Sequence, residues 1–308
     1  MALQTSLVDF PWRLFSTAEM KSKHFYLGCP VWACPHWKGT VYSASAARHR
    51  WLAEYSNTFN TVEGNSTFYG IPSEDTFRRW ADETADGFRF VLKFPRIISH
   101  ENELIGAAPE LDLFLNGLAV LKEAHRLGPT FLQLSPTFSP QKFGRLEKFL
   151  RSLPVQFNFA VEVRHYDFFQ PSVEKEFNHL LKELAIDRVI FDSRPLNSAP
   201  PEDEIEEVSQ QRKPKVPLRK EVTGRFPILR LIGRNRLELI QPWIDEWSET
   251  IADWIDSGLK PFVFTHAPDD QFAPEFARLF HNALSRRVKQ LPQFRWMYEP
   301  EPHQLKLF

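Results

Sequence analysis

The segment NFAVEVRH, residues 158–165, alternates apolar and polar side chains in the manner of a β-strand. Successive side chains of a strand point to opposite faces, so Ala160, Glu162 and Arg164 share one face and Val161 and Val163 share the other. The two valines are expected to pack against helices, which directs Glu162 and Arg164 to the opposite side. This segment therefore indicates a strand that carries charged residues into an enclosed space.

Seven other runs have strand length and likewise carry a polar or charged residue at or just beyond their C-terminal end: FYLGCPVW (25–32), FNTVEGNSTF (59–68), FRFVLKF (88–94), TFLQLS (130–135), RVIFDSR (188–194), ILRLIGR (228–234) and PFVFTHA (261–267). Amphipathic stretches of helical length separate most of them: 45–57, 73–84, 109–127, 144–153, 172–184, 239–257 and 274–288. Strands that alternate with helices indicate parallel βα units. Eight such units predict an α/β fold with a single (β/α)8 TIM-barrel-like domain.

The predicted domain covers residues 24–291, preceded by an N-terminal arm, 1–23, and followed by a C-terminal tail, 292–308. A long connection, residues 195–227, interrupts the barrel between the sixth and seventh strands. It is rich in proline and carries an acidic block followed by a basic one, and we expect little regular structure in it. It is predicted either to be a mobile cover over the C-terminal face of the barrel or to be a disordered insertion without a role.

The charge balance gives no global reason to expect nucleic-acid or membrane binding, because 38 basic residues oppose 39 acidic ones and the net charge is −1. No apolar run approaches the ~18 residues of a transmembrane helix. The N-terminal residues lack the pattern of a secretory signal, which predicts a cytoplasmic protein. The sequence leaves the oligomeric state open.

Polar side chains with inward parity occur on most of the predicted strands. They are Glu63 and Asn65, Lys93, Gln133, Glu162 and Arg164, Asp192 and Arg194, Arg230, and His266. The C-terminal ends of barrel strands form one face, where the active sites of (β/α)8 enzymes lie. We therefore expect these side chains to converge at that face.

Carboxylates beside lysine and arginine suit general acid–base chemistry or the binding of a phosphate or carboxylate. The predicted catalytic residues are Glu63, Lys93, Glu162 and Asp192. The predicted ligand-binding residues are Trp32, Asn65, His100, Gln133, Arg164, His165, Arg230 and His266. On this interpretation Glu162 faces a solvated pocket. The alternative is a self-satisfied ion network that stabilises the interior and binds nothing.

No metal or cofactor is predicted. A metal site is conceivable from Glu63, Glu162, His165, Asp192 and His266, but no motif with metal-ligand spacing supports it. The basic residues expected nearby would also repel a cation.

Several blocks of the chain resemble the successive motifs of the YecE-like family, domain of unknown function 72: GCPVWACPHWKGTVY, TVEGNSTFYGIP, FRFVLKFPRIISH, FLQLSPTF, FAVEVRHYDFF and LRLIGR. The resemblance runs from about Phe25 to about Leu284 and is greatest to the YecE branch. It implies a TIM-barrel-like fold but no established activity. The motif positions that it assigns in this chain are Trp32, Trp37, Glu63, Asn65, Thr67, Tyr69, Lys93, Phe94, His100, Gln133, Glu162, Arg164, His165, Asp192, Arg230 and Gly233. The chain departs from the family at Thr265 and His266, where Phe-Asn-Asn is common.

The function predicted first is the binding or transformation of a small anionic or phosphorylated ligand at the C-terminal strand ends. For a transformation, the predicted class is an acid–base enzyme or hydrolase. The second is nucleic-acid binding or repair, because the family has been likened to barrel endonucleases and residues 212–225 are basic. The third is a non-catalytic interaction module.

Overall fold

The computed structural model describes residues 25–289 and 291–298. The predicted N-terminal arm, residues 1–23, and residues 299–308 of the predicted tail lie outside the described residues. Within the described part, no helix combines the length and apolar character needed to cross a membrane.

Eight strands occur at the predicted places: β1 (Tyr26–Gly28), β2 (Thr61–Gly64), β3 (Arg89–Leu92), β4 (Thr130–Gln133), β5 (Phe159–Glu162), β6 (Asp187–Asp192), β7 (Ile228–Ile232) and β8 (Phe262–His266). Every strand pairing in the described residues is parallel. Ladder hydrogen bonds divide the strands into two sheets, one in the order β1-β8-β7-β6-β5-β4 and one of β2 and β3. The α/β class and the positions of the strands are therefore as predicted. The strands form a parallel six-stranded sheet and a separate pair, however, and not one continuous ladder.

The described helices are α1 (Trp51–Thr58), α2 (Ser66–Tyr69), α3 (Glu74–Glu83), α4 (Ala108–Glu123), α5 (Phe143–Ser152), α6 (Pro171–Glu183), α7 (Glu204–Arg212), α8 (Gln241–Asp256) and α9 (Ala273–Ser285). Local sequence explains their starts. Four of them, α4, α6, α8 and α9, carry proline in the first turn, where a missing N–H costs no hydrogen bond. The side chain of Ser73 caps α3 by accepting from the backbone N–H of Thr76.

One apolar cluster lies on the inner face of the curled sheet. It contains Val91, Phe131, Ala160, Val189, Ile228, Phe262 and Phe264, and Tyr26 packs against it. These residues come from seven of the eight strands, so the six-stranded sheet is curled around them. The larger cluster, with Val161, Leu229 and Val263, lies on the other face with the helices. On β3, β4, β5, β7 and β8, the polar residue two positions beyond a member of the inner cluster, such as Glu162 after Ala160, therefore has the same inward direction.

Helix α7 corrects the expectation for residues 195–227, which were predicted to lack regular structure. Asp203 caps the helix by accepting from the backbone N–H of Glu206 at 2.7 Å. The carboxylate of Glu206 is buried and accepts from Arg234 Nη2 at 2.7 Å, just after β7. The prolines of the segment lie outside the helix, so they do not interrupt its hydrogen bonds. Helix α7 is thus attached to the end of the neighbouring strand.

Candidate functional site

A buried guanidinium joins the two carboxylates that the sequence placed at the strand ends. Arg230 on β7 donates to Glu63 on β2 from Nε and Nη2, both at 2.8 Å. Its Nη1 donates to Glu162 Oε2 on β5 at 2.6 Å. The side chains of Glu63, Glu162 and Arg230 are at most 4% exposed. This arrangement, here called the Arg230 bridge, links three strands through charge-assisted hydrogen bonds.

Other groups complete the coordination of both carboxylates. Arg164 Nε donates to Glu162 Oε1 at 2.6 Å, and Asn65 Nδ2 donates to Glu63 Oε1 at 2.7 Å. His266 Nε2 lies 3.1 Å from Glu63 Oε2. Because a carboxylate only accepts, His266 carries its hydrogen on Nε2 in this contact. Every oxygen of the two carboxylates therefore has a donor.

The pKa values of these groups follow from burial and partners. Burial alone raises the pKa of Glu63, but Arg230 and His266 outweigh it and hold that pKa well below its ordinary value. The pKa of Glu162 falls to about 2, because Arg230 and Arg164 likewise overcome the effect of burial. Burial lowers the pKa of His266 to about 4 despite Glu63. At neutral pH the Arg230 bridge and its neighbours Arg164 and His266 thus comprise two carboxylates, two guanidiniums and a neutral imidazole.

Two amines face this neutralised network without an ionic partner of their own. Lys93, just after β3, is 7% exposed, and its Nζ lies 3.6 Å from the centroid of the Phe68 ring. Lys213, just after α7, lies within electrostatic reach of Glu63, Glu162, Arg164 and Arg230. Among the described residues, neither Nζ takes part in an ion pair or a hydrogen bond.

Burial is the main cause that lowers the pKa of both amines. The pKa of Lys93 falls to about 7, and the positive charges of Arg230 and Arg164 add to the effect of burial. The pKa of Lys213 falls to about 8 by burial and by Arg230. Glu63 and Glu162 oppose both shifts but are already engaged with guanidiniums. The amines therefore titrate near neutral pH, unlike ordinary lysines.

Gln133 and His100 border the same space. Gln133 on β4 is 3% exposed, stands in register with Glu162, and its Oε1 has no hydrogen-bond partner. His100 Nδ1 lies 2.8 Å from Ser99 Oγ, and burial followed by the charge of Lys93 lowers its pKa to about 4. This buried amide oxygen can accept a hydrogen bond from a ligand or from a water molecule.

The structure corrects the parity predicted for β6. Asp192 points toward the helices, where its carboxylate accepts from Trp247 Nε1 on α8 at 2.8 Å and from Arg194. Val189 and Phe191 take the inward positions instead. The strand has apolar residues in succession, and both of its faces are buried, so alternation could not decide its orientation. Asp192 and Arg194 are thus separated from the Arg230 bridge.

Two further predicted ligand-binding residues, Trp32 and His165, make local contacts outside the Arg230 bridge. The Trp32 ring packs against Trp80 and Phe90, which belong to the outer apolar cluster. His165 Nδ1 accepts from the backbone N–H of Asp167, as the cap of a short helical turn. The assignment of both residues to ligand binding stays a prediction.

Sequence reasoning missed several residues beside the bridge. Phe131 and Phe191 lie with their ring centroids 5.5 Å from Arg230 Cζ. Asp270, after β8, lies within electrostatic reach of Lys213 and Glu63, and burial raises its pKa. Phe131 could have been found, since it shares the parity of Gln133. No local pattern distinguishes Lys213 from the other basic residues of its segment.

The prediction that Glu162 faces a solvated pocket is wrong, because this side chain is only 1% exposed and fully paired.

No cluster of three or more His, Cys, Asp or Glu side chains suited to a metal ion occurs in residues 25–289 and 291–298.

Comparisons with known proteins agree with this architecture. The family model described as "Protein of unknown function DUF72" matches residues 26–303. The UPF0759 protein YecE of Escherichia coli K12 is 37% identical over 269 residues, covering 87% of this chain and 94% of that protein. The corresponding protein of Escherichia coli O157:H7 is 36% identical over the same length and coverage.

The solved structures of similar fold include two DUF72 family proteins. A DUF72 family protein of Enterococcus faecalis (EF0366) has a TM-score of 0.67 at 22% identity, covering 85% of this chain and 95% of that chain. A DUF72 family protein of Thermotoga maritima (TM1631) has a TM-score of 0.61 at 21% identity, covering 86% of this chain and 99% of that chain. At these identities the likeness concerns the fold alone.

Glu162→Gln is expected to destabilise the protein by about 3–5 kcal/mol, because the change leaves Arg164 and Arg230 facing an uncharged amide in a buried site. Urea unfolding at neutral pH measures the difference. Glu147→Gln is the matched control: Glu147 is 41% exposed, pairs with Arg151 on the surface, and should cost less than about 1 kcal/mol. Equal, small effects of both substitutions would show that the bridge contributes little to folding.

Proposed function

The chain belongs to the DUF72 family, and we propose that it binds a small anion, a phosphate or carboxylate compound, between the Arg230 bridge and the segment that carries Lys213. The observation that carries this proposal is the pair of amines, Lys93 and Lys213, which have no anionic partner among the described residues. A bound anion would supply that partner.

The charge balance of the site favours an anion over a cation. Glu63 and Glu162 are offset by Arg230 and Arg164 through direct hydrogen bonds. Protonation of the two lysines then adds positive charge in a region of low polarity, where it is costly unless neutralised. Asp270 offsets part of the charge of Lys213, but no ion pair joins the two side chains.

Neutral groups are available to orient the ligand. Gln133 can donate from Nε2 and accept at its unpartnered Oε1. His100 is neutral at physiological pH and borders Lys93. A few fixed polar groups above an apolar floor are typical of small-molecule sites.

Within this proposal the four predicted catalytic residues differ in how well they suit catalysis. Glu63 and Glu162 are held ionised by the bridge, so they are poor proton donors near neutral pH. Lys93 has a pKa close to neutrality and is the group best suited to proton transfer or nucleophilic attack. Asp192, paired with Arg194 and Trp247, has no part in the proposed site.

We also infer that the eight strands form a closed (β/α)8 barrel. Two backbone hydrogen bonds support closure across the gaps between the sheets. Glu63 N–H donates to Cys29 O at 3.1 Å, between β2 and the end of β1, and Phe94 N–H donates to Phe131 O at 3.0 Å, between the end of β3 and β4.

Closure predicts that the amides of Glu63 and Phe94 exchange with solvent as slowly as those within the ladders, such as Leu229 and Val263, because only global unfolding exposes them. Hydrogen exchange resolved by NMR measures the four rates. Exchange at the two gap amides that is faster by several orders of magnitude would indicate two sheets that separate locally.

Lys213→Met is expected to weaken sulfate binding by roughly 10–100-fold, the loss of about 1.5–3 kcal/mol for one hydrogen bond to a charged group. Sulfate is the probe because it stays fully ionised across the neutral range, and titration calorimetry measures its affinity. Lys148→Met is the control, since Lys148 is exposed and lies on α5, outside the segment that carries Lys213. Equal affinity of both variants and the parent protein would exclude Lys213 from the site.

Sulfate affinity is expected to fall as the pH rises from about 6 to about 9. The pKa values of Lys93 and Lys213, about 7 and about 8, mean that both amines lose the charge that attracts the anion within this range. Binding should also take up protons, which appears in calorimetry as a dependence on the ionisation enthalpy of the buffer. An affinity independent of pH would contradict the role of these amines.

Nucleic-acid binding by residues 212–225 remains the alternative proposal, but the described contacts favour it less. Arg219 pairs with Glu174 and Lys220 pairs with Glu246, each at 2.8 Å, so neither guanidinium nor amine is free. Titration with duplex DNA at several salt concentrations distinguishes it. A fall of roughly 0.9 log units in affinity per log unit of salt for each phosphate contact would support this alternative. A non-catalytic interaction module would bind neither DNA nor sulfate.

A further inference from the structure

We propose that Lys93 is a nucleophile that forms a Schiff base with the carbonyl carbon of a small anionic aldehyde or ketone. This inference rests on the proposed anion-binding function and names the substrate class of the same site. It assigns the anionic group of the substrate to Lys213 and the carbonyl group to Lys93.

The position of Lys93 is fixed while its amine remains uncommitted. Its backbone N–H donates to Gly64 O at 3.3 Å, and its carbonyl oxygen accepts from Thr67 Oγ1 at 2.6 Å. The amine rests against the Phe68 ring and has no hydrogen bond or ion pair in the part of the chain that the structure describes. A lysine that served only the ion network would be expected to pair with Glu63 or Glu162, and Lys93 pairs with neither.

The surroundings favour the neutral, nucleophilic form of this amine. Burial against an aromatic ring removes water from the ammonium, and two guanidiniums nearby repel a further positive charge. These are the two means by which proteins activate lysine as a nucleophile. The charged or titratable groups around it are Glu63 on β2, His100 after β3, Glu162 and Arg164 on β5 and beyond it, and Arg230 on β7.

The reaction uses only groups that the site and substrate contain. The lone pair of the neutral amine attacks the carbonyl carbon, forming a C–N bond as the C=O π electrons move to oxygen. That oxygen takes up the proton released by nitrogen and gives a carbinolamine. The nitrogen then expels the hydroxyl group, which takes a proton from solvent and leaves as water, and a protonated imine remains.

Gln133 is placed to recognise the intermediate. Its Oε1 is buried without a donor, and its strand lies beside the end of β3, where Lys93 and Phe131 form a parallel bridge. A carbinolamine hydroxyl is a donor that could satisfy this oxygen. An inorganic anion such as sulfate could not, since it has no hydrogen to donate.

Reductive trapping tests the inference on the full chain. The protein is incubated at neutral pH with glyoxylate, an aldehyde that carries a carboxylate, and with borohydride, and modified lysines are quantified by peptide mass spectrometry. The exposed lysines Lys148 and Lys175 serve as internal references. Acetaldehyde, which has the same number of carbons and no carboxylate, is the matched control probe.

Lys93 is expected to react with glyoxylate at least about tenfold faster than the reference lysines, because much more of it is unprotonated at neutral pH than of an ordinary lysine. Its rate should rise with pH around its pKa of about 7 and then level off, because the amine is then fully unprotonated. The rates of the reference lysines should keep rising toward the ordinary lysine pKa. Lys213→Met should reduce the rate with glyoxylate and leave the rate with acetaldehyde unchanged. Lys93→Arg, which retains the charge, should abolish the adduct at this position and leave the references labelled.

The outcomes separate this inference from the function on which it rests. Sulfate binding that depends on Lys213, with no preferential trapping at Lys93, would overturn the Schiff base and leave the anion site standing. Equal preference for glyoxylate and acetaldehyde would overturn the anionic substrate class. Absence of both sulfate binding and trapping would overturn the two proposals together.

Discussion

The contact between Arg230 and the carboxylates of Glu63 and Glu162 is the interaction on which the upper end of the strand assembly depends. Three side chains from β2, β5 and β7 meet in an interior that excludes water, and none can be buried there without the others. The guanidinium matches two carboxylates at once because its donors form a planar fork. These side-chain contacts restrain the relative positions of strands that belong to both sheets.

The same contact sets the electrostatics of the surrounding groups. Because the carboxylates are saturated by Arg230, Arg164, Asn65 and His266, they offer little compensation to the amines of Lys93 and Lys213. The hydrogen bonds of both carboxylates are complete without Lys93 and Lys213, so these two amines do not stabilise the bridge by direct pairing. We therefore interpret the cluster as two parts: a structural bridge, and near it a pair of lysines that have no ion-pair partner in the part of the chain that the structure describes.

The segment between β6 and β7 contributes Lys213 because ionic contacts hold it against the body of the protein. Glu206 of α7 is buried against Arg234, and Ser193 Oγ donates to Pro214 O at 2.9 Å, next to Lys213. Arg219 and Lys220 pair with Glu174 and Glu246 farther along. These contacts position the segment, and with it Lys213, relative to the ends of the strands.

Alternation in the sequence by itself determined the eight strands, most of the helices, and the inward direction of Glu63, Lys93, Gln133, Glu162 and Arg230, because side-chain period and burial are local properties. Tertiary structure decided the rest. Whether Glu162 faces water or Arg230, which way β6 turns Asp192, and where Lys213 lies depend on contacts between residues distant in the chain. No local period encodes such contacts, since they arise only when the strands and their connections pack together.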